Sequence, residues 1–276
     1  MVIRQSAPAK INLCLHVVGQ RATDGLHLLE SLVVFLDVGE WVEVRKASKT
    51  TLKIVGPQAT FLSAQDDNLI LRAAALFPTE CTTEIILHKT MPIFSGIGGG
   101  SADAAATLRG MAKLWSLDLP SITAQLSLGA DVPVCIACGS VWMTGVGEVI
   151  QPVVQFPELY AVLVNPGVQV STARTFDNLS HKKNKPILYY PSSHSKWYEW
   201  LPVQRNDLQK LAIAQVASIE DVLQRLKSFE PLAARMSGSG ATCFALFESA
   251  DIAHACRDCI TTIQPAWWVH VGAIER

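Results

Sequence analysis

Residues 92–106 read Pro-Ile-Phe-Ser-Gly-Ile-Gly-Gly-Gly-Ser-Ala-Asp-Ala-Ala-Ala, and no other stretch constrains the fold as tightly. Gly96, Gly98, Gly99 and Gly100 fall within five positions, followed by Ser101 and Ala102. Glycine lacks a Cβ, so the backbone can take positive φ and come close to a ligand. The alanines that follow favour helix, which predicts a helix over about 101–115. A glycine loop feeding a helix N-terminus presents amide N–H groups backed by the positive end of the helix dipole, an arrangement that binds phosphate. The loop lacks the Gly-Lys-Ser/Thr that ends a Walker A motif, and its three consecutive glycines do not fit Gly-x-Gly-x-x-Gly. It therefore reads as a phosphate cradle of a third kind. The competing reading, a flexible turn with no ligand, would lose conformational entropy at four glycines for no gain.

The 276 residues suffice for one large or two medium domains with a sizeable core. Hydrophobic residues make up 49% and charged residues 17%, as in a soluble globular protein. A net charge of −1 argues against a nucleic-acid or anionic-membrane surface, so any phosphate site is local, built from amides and a few lysines. No signal peptide is visible, and no segment approaches the roughly 20 apolar residues of a membrane span. A cytoplasmic protein is expected.

The cysteine count, seven, is odd, which argues against a disulfide framework. Cys135/Cys138 and Cys256/Cys259 have the spacing of a four-thiolate zinc site. Their surroundings favour the plainer reading, in which buried cysteine acts as a small hydrophobe.

Alternation over 11–18 predicts a strand, with Ile11, Leu13, Leu15 and Val17 on the core face. Further strands are expected at 41–44, 52–55, 83–88, 141–144, 160–164, 243–247 and 267–271, and a second helix at about 121–128. Ile219, Val222, Leu223 and Leu226 share one helical face, with Ser218 and Asp221 as a capping box. Residues 178–206 show no period and read as a surface excursion. Strands mixed with helices without strict alternation give an α+β class.

Four islands could carry chemistry. They are Ala7-Pro-Ala-Lys10-Ile-Asn12-Leu, the glycine loop, Leu128-Gly-Ala-Asp131-Val-Pro-Val, and Met236-Ser-Gly238-Ser239-Gly-Ala-Thr-Cys-Phe244. A phosphate cradle, a lysine, an aspartate and a second glycine turn are what phosphoryl transfer needs, because that reaction is mostly positioning and charge neutralisation. An aspartate can take the proton of an attacking hydroxyl. Each island also has a plainer reading. Lys10 could be one more solvated lysine, though its place between Pro8 and a buried strand points it into a cleft. Asp131 could be a cap or turn residue. The second glycine turn could simply open a strand.

In this order and spacing the islands resemble the GHMP kinase superfamily, and the resemblance runs nearly end to end. Asp24-Gly-Leu26-His27, Asp67-Asn68-Leu69 and Thr144-Gly-Val-Gly-Glu148 add to it. Gly-x-His and Gly-Ala-Asp-Val-Pro point to the member that acts on a cytidylyl sugar alcohol. The resemblance implies two α+β lobes, 1–155 binding ATP and 156–276. The first would be like ribosomal protein S5 domain 2 and the second ferredoxin-like, with the active site in the cleft between them. It implies ATP-dependent phosphorylation of a hydroxyl in a monomer or homodimer, with Asp131 as base and Lys10 orienting it. Mg²⁺ would bridge the nucleotide phosphates, with Ser101 as its protein ligand. Asn68, Lys89, Pro92, Ile93, Phe94, Ser95, Gly96, Ile97, Gly98, Gly99, Gly100, Ser101 and Ala102 would surround ATP. Asn12, Leu26, His27, Asp131, Phe176, Gly238 and Ser239 would bind the acceptor, His27 hydrogen-bonding the cytosine and Phe176 stacking on it.

The chain departs from the family pattern in two places. Leu26 stands where the family has a tyrosine that stacks on cytosine. Phe94, Ser95 and Ala102 replace two glycines and a serine of the family's loop. Another kinase of the superfamily, acting on mevalonate, homoserine or a sugar, would share Lys10 and the loop without needing His27. A non-catalytic nucleotide-binding protein finds support only in Leu26 and Phe94.

Overall fold

A computed structural model describes residues 1–62, 64, 67–93 and 95–275, with only the backbone of Phe61. Phe94 lies outside the described residues. Among them the chain begins with strands β1 (Val2–Asn12), β2 (His16–Gln20), β3 (His27–Lys46) and β4 (Thr51–Val55), then helix α1 (Leu69–Ala74) and strand β5 (Thr83–His88). Helices α2 (Gly99–Trp115), α3 (Ile122–Leu128) and α4 (Val132–Ala137) follow, then strands β6 (Val141–Gly145), β7 (Val149–Pro152) and β8 (Tyr160–Asn165). Helices α5 (Thr172–Asp177), α6 (His194–Trp200), α7 (Gln209–Gln215) and α8 (Ser218–Lys227) come next. The chain closes with β9 (Ala233–Met236), β10 (Cys243–Phe247), α9 (Ala250–Ile263) and β11 (Trp268–Ala273).

The chain forms two compact units, one made of 1–10, 39–93 and 98–138, the other of 11–38, 94–97 and 139–276. The expected boundary at 155 is a single cut, whereas these units interleave along the chain.

In the first unit β5 runs antiparallel to β3, with Val42 opposite Leu87 and Val44 opposite Ile85. It runs parallel to β4, with Leu52 opposite Ile85. Alternation of buried Thr83, Ile85 and Leu87 with half-buried Glu84, Ile86 and His88 gives β5 its period of two. Helix α2 owes its close packing to small residues, burying Ala102, Ala104, Ala105 and Ala106. At Gly110 the approach is closest, since a Cβ there would lie 3.0 Å from Val44 Cγ2 and 3.4 Å from Gln5 Cγ.

In the second unit β3 pairs with β2 and β6, Glu30 facing His16 and Val33 facing Val141. A separate four-stranded sheet has the order β11-β8-β10-β9, antiparallel throughout. Taken in chain order these strands are fourth, first, third and second, the ferredoxin-like arrangement. Helices α8 and α9 pack on this sheet, and Leu223, Leu226 and Ile260 join Val162, Val164 and Phe247 in its core.

Several expectations need correcting. The strand expected over 11–18 is two strands, parted around Leu13–Leu15. Its second face is buried as well, Asn12, Cys14 and His16 included. Ser218 is not a cap, because Ala217 precedes the helix and the Ser218 hydroxyl has no hydrogen-bond partner among the described residues. The excursion over 178–206 carries α6, whose Trp197 and Trp200 are fully buried. Their indole nitrogens donate to Gln155 O and Tyr189 O, which lets these large rings be covered without an orphaned polar atom.

Candidate active site

In the first unit the glycine loop meets α2 at Gly98, which takes φ +72° as the helix N-cap. Ala102 N donates to Gly98 O at 2.7 Å, closing the first turn. The amides of Gly99, Gly100 and Ser101 precede the first intrahelical bond and so point out of the helix end. Ser101 is half-buried, and its Oγ lies 3.8 Å from where a Cβ of Gly129 would stand.

Lys10 ends the part of β1 that belongs to this unit, and its ammonium donates to Asp131 Oδ2 at 2.9 Å. The lysine side chain is 3% exposed and the aspartate 36%, so the carboxylate opens to solvent while its partner does not. Asp131 precedes α4 but makes no side-chain cap bond, so the cap reading of this residue gives way to the ion pair. Arg109 ties the surroundings together, donating to Cys135 O at 2.8 Å and Ser6 O at 2.6 Å. Burial pushes the Cys135 thiol well above its ordinary range, with the Asp131 carboxylate adding to this, so the thiol beside the pair stays neutral. Asn68 caps α1 by accepting from Ile70 N at 3.0 Å.

Lys89 is buried. Its ammonium donates to Glu40 Oε2 at 2.6 Å and Asp103 Oδ2 at 3.1 Å. Pro92 and Ile93 are half-buried at the start of the loop.

In the second unit Ser95 and Gly96 pack on the other glycine turn, and Ile97 is buried. Thr242 N donates to Ser95 O at 3.1 Å, and Ser237 Oγ donates to Gly96 O at 3.0 Å. Ser237 Oγ also accepts from Asn12 N at 3.1 Å, while Asn12 Nδ2 donates to Ser31 Oγ at 2.8 Å. Gly238 has φ +53°, and a Cβ there would lie 2.9 Å from Gly96 O. Ser239 Oγ and Thr172 Oγ1 share a hydrogen bond of 2.7 Å. The His27 and Phe176 rings lie 4.9 Å apart, tilted by 30°. Burial lowers the His27 pKa, the Lys182 ammonium lowers it further and Asp177 opposes them, so the ring is neutral at pH 7. Leu26 beside it is 49% exposed.

Comparison with known proteins shows the family. Residues 68–139 match the family described as "GHMP kinases N terminal domain", and residues 196–262 match "GHMP kinases C terminal". A Ruegeria pomeroyi protein named 4-diphosphocytidyl-2-C-methyl-D-erythritol kinase is 47% identical over 284 residues, covering 99% of this chain and 100% of the relative. The chain belongs to this family of GHMP kinases. A relative of the same name in Rhizobium meliloti is 43% identical, covering 96% of this chain and 92% of its own. A crystal structure of 4-(cytidine 5'-diphospho)-2C-methyl-D-erythritol kinase superposes with a TM-score of 0.80 at 27% identity, covering 99% of this chain and 100% of that one. Leishmania major mevalonate kinase, at TM-score 0.65 and 17% identity over 98% of this chain and 95% of its own, shares the fold.

The protein is therefore an ATP-dependent kinase. Two features of the kinase escaped the sequence. Glu40 and Asp103 enclose Lys89; a carboxylate inside an alanine run was the one available signal for Asp103. Asn206 Nδ2 donates to Met236 O and Gly238 O, both at 2.8 Å, and so holds the second glycine turn, yet nothing in its neighbourhood marks it.

Among the described residues no group of three or more His, Cys, Asp or Glu side chains is placed to hold a metal. Mg²⁺ at a nucleotide takes most of its ligands from phosphate and water. The Ser101 hydroxyl, in the first turn of α2, is of the right chemistry for a single protein ligand.

Proposed function

We propose that this kinase transfers the γ-phosphoryl group of ATP to the 2-hydroxyl of 4-diphosphocytidyl-2-C-methyl-D-erythritol. The products are the 2-phosphate and ADP, in the non-mevalonate isoprenoid pathway. The observation that carries the chemistry is the Lys10–Asp131 pair, a buried cation holding a solvent-facing carboxylate at 2.9 Å. Near-full-length identity of 47% to a relative of that name supports the substrate.

In this reading the acceptor's 2-hydroxyl gives its proton to Asp131 as its oxygen bonds to the γ-phosphorus. The bond from that phosphorus to the β–γ bridging oxygen breaks, and ADP leaves. General-base help of this kind is worth about 10²–10⁴-fold. Lys10 fixes the carboxylate and offsets the charge that gathers on the moving group. The loop residues Ser95 to Ala102, with Pro92, Ile93, Asn68 and Lys89, serve the nucleotide, and the first-turn amides of α2 take its phosphates. When bound, Mg²⁺ would neutralise those phosphates, with Ser101 as its protein ligand. His27 hydrogen-bonds the cytosine, Phe176 and Leu26 cover its faces, and Asn12, Gly238 and Ser239 hold the rest of the acceptor. No helix among the described residues is long and apolar enough to cross a membrane.

The test is ADP release with Mg-ATP and the cytidylyl alcohol, beside mevalonate, homoserine and galactose, with Asp131→Asn as control. Release with the cytidylyl alcohol alone, lost in the variant, is expected. Release with another alcohol would overturn the substrate, and full activity in Asp131→Asn would overturn the base.

A further inference from the structure

We propose that Glu40 and Asp103 are positioning residues for the phosphoryl donor, acting through Lys89 to fix both ends of the glycine loop. This rests on the reading that the N-terminus of α2 receives the nucleotide phosphates.

Lys89, Glu40 and Asp103 have side-chain exposures of 2%, 0% and 4%. Burying three ionisable groups is unfavourable enough that an apolar trio of the same volume is often as stable or more so. Stability alone is thus a poor reason for the cluster, and its place in the fold supplies a better one. Lys89 Nζ lies 3.3 Å from where a Cβ of Gly99 would stand, so the ammonium rests on the first residue of α2. Asp103 follows Gly99 by four residues and occupies the same helix face one turn on. These two contacts fix the end of the loop where the helix begins.

Glu40 fixes the other end. Its Oε2 accepts from Lys89, while Oε1 accepts from Thr90 N at 2.8 Å and Met91 N at 2.7 Å. Thr90 Oγ1 also donates to Gly39 O at 3.0 Å. The chain leaving β5 is therefore tied to β3 just before the loop starts at Pro92. Met91 and Gly99 are held by one charge cluster, which sets the span the loop must bridge. Glycine-rich backbone has no side chains of its own to do this.

Electrostatics gives the cluster its composition. An anion near a helix N-terminus competes with a phosphate for the same dipole. Lys89 compensates the two carboxyls, and burial holds the Asp103 carboxyl well above the usual carboxylate range, with Glu40 raising it further and Lys89 opposing. The amides of α2 are left to the ligand.

Three variants test this, each read by melting temperature, by titration with a non-hydrolysable ATP analogue and Mg²⁺, and by separate KM values for ATP and the cytidylyl alcohol. Glu40→Gln and Asp103→Ala each should weaken nucleotide binding on the order of tenfold, the worth of one charge-assisted hydrogen bond, and leave KM for the alcohol unchanged. The triple variant Glu40→Gln/Lys89→Met/Asp103→Leu should melt within a few degrees of wild type and bind the analogue more weakly still. A folded triple variant with wild-type nucleotide affinity would overturn the proposal, as would singles that raise both KM values alike. If the triple variant does not fold, the two singles decide. Wild-type protein that fails to bind the analogue would overturn the nucleotide reading itself, a separate result.

Discussion

A Cβ on Gly98 would stand 3.1 Å from Lys10 Cβ and 3.2 Å from Lys10 Cε. The residue that caps α2 is thus also the surface on which the Lys10 stem lies, so the loop and the ion pair are packed as one object. Gly98→Ala should suffer twice. Its φ of +72° costs a non-glycine residue roughly 1–2 kcal/mol, and its methyl pushes Lys10 off Asp131. A fall of several degrees in melting temperature, together with at least a tenfold loss of kcat, is expected. Gly100→Ala is the control for stability, because among the described residues a Cβ there would meet only Leu69 Cδ2, at 4.0 Å. Equal melting losses in the two variants would contradict this account.

Lys10→Met separates charge from packing. Methionine fills much of the same volume, and Asp131, at 36% exposed, keeps its hydration when the ammonium goes. The melting temperature should therefore hold within a few degrees while kcat falls about 10²–10³-fold, as when one group stabilising the transferring phosphoryl is removed. Steady-state ADP release beside a thermal melt checks it. A variant that keeps kcat would remove Lys10 from the chemistry.

Leu26 faces solvent just before β3, next to the His27–Phe176 pair. The family's tyrosine would add ring stacking worth about 0.5–1.5 kcal/mol over area alone. Leu26→Tyr should lower KM for the cytidylyl alcohol roughly threefold to tenfold and leave KM for ATP unchanged. Steady-state titration of each substrate decides it, and an unchanged or higher KM for the alcohol would show that the missing ring is not what limits cytosine binding.

What could be read from the sequence was local. The glycine loop, strand β5 and the apolar face of α8 each announce themselves by composition or by a regular period. The Lys10–Asp131 pair could be named from its islands, but its geometry joins residues 121 positions apart. The long reach of β3 was hidden because its middle, Leu32 to Leu36, is buried on both faces and so lacks alternation. Helix α6 was missed for another reason. Its seven residues are too few to show a period, and its stability comes from Trp197 and Trp200 packing against Trp142, with ring centroids 6.0 and 5.4 Å away. Asn206 and Glu40 act by bonding backbone atoms that only the folded chain brings near, which leaves no mark in composition.

His16 makes the fold sensitive to acid. It is 3% exposed, and neither ring nitrogen has a hydrogen-bond partner among the described residues. Burial lowers its pKa to about 4, with Arg205 and Arg235 adding to the shift and Asp207 opposing it. In the unfolded chain the same ring titrates near its ordinary value of 6.5. Between those two values the unfolded chain carries a proton that the native state does not, so native stability rises with pH through this window. Lowering the pH from 7 to 5 should therefore cost about 2 kcal/mol at this residue. His16→Leu removes the proton site and suits the apolar surroundings. Urea denaturation at pH 7 and pH 5 should show wild type losing about 2 kcal/mol more than the variant across that interval. Equal losses would mean that the acid sensitivity lies elsewhere and that His16 can take up its proton inside the fold.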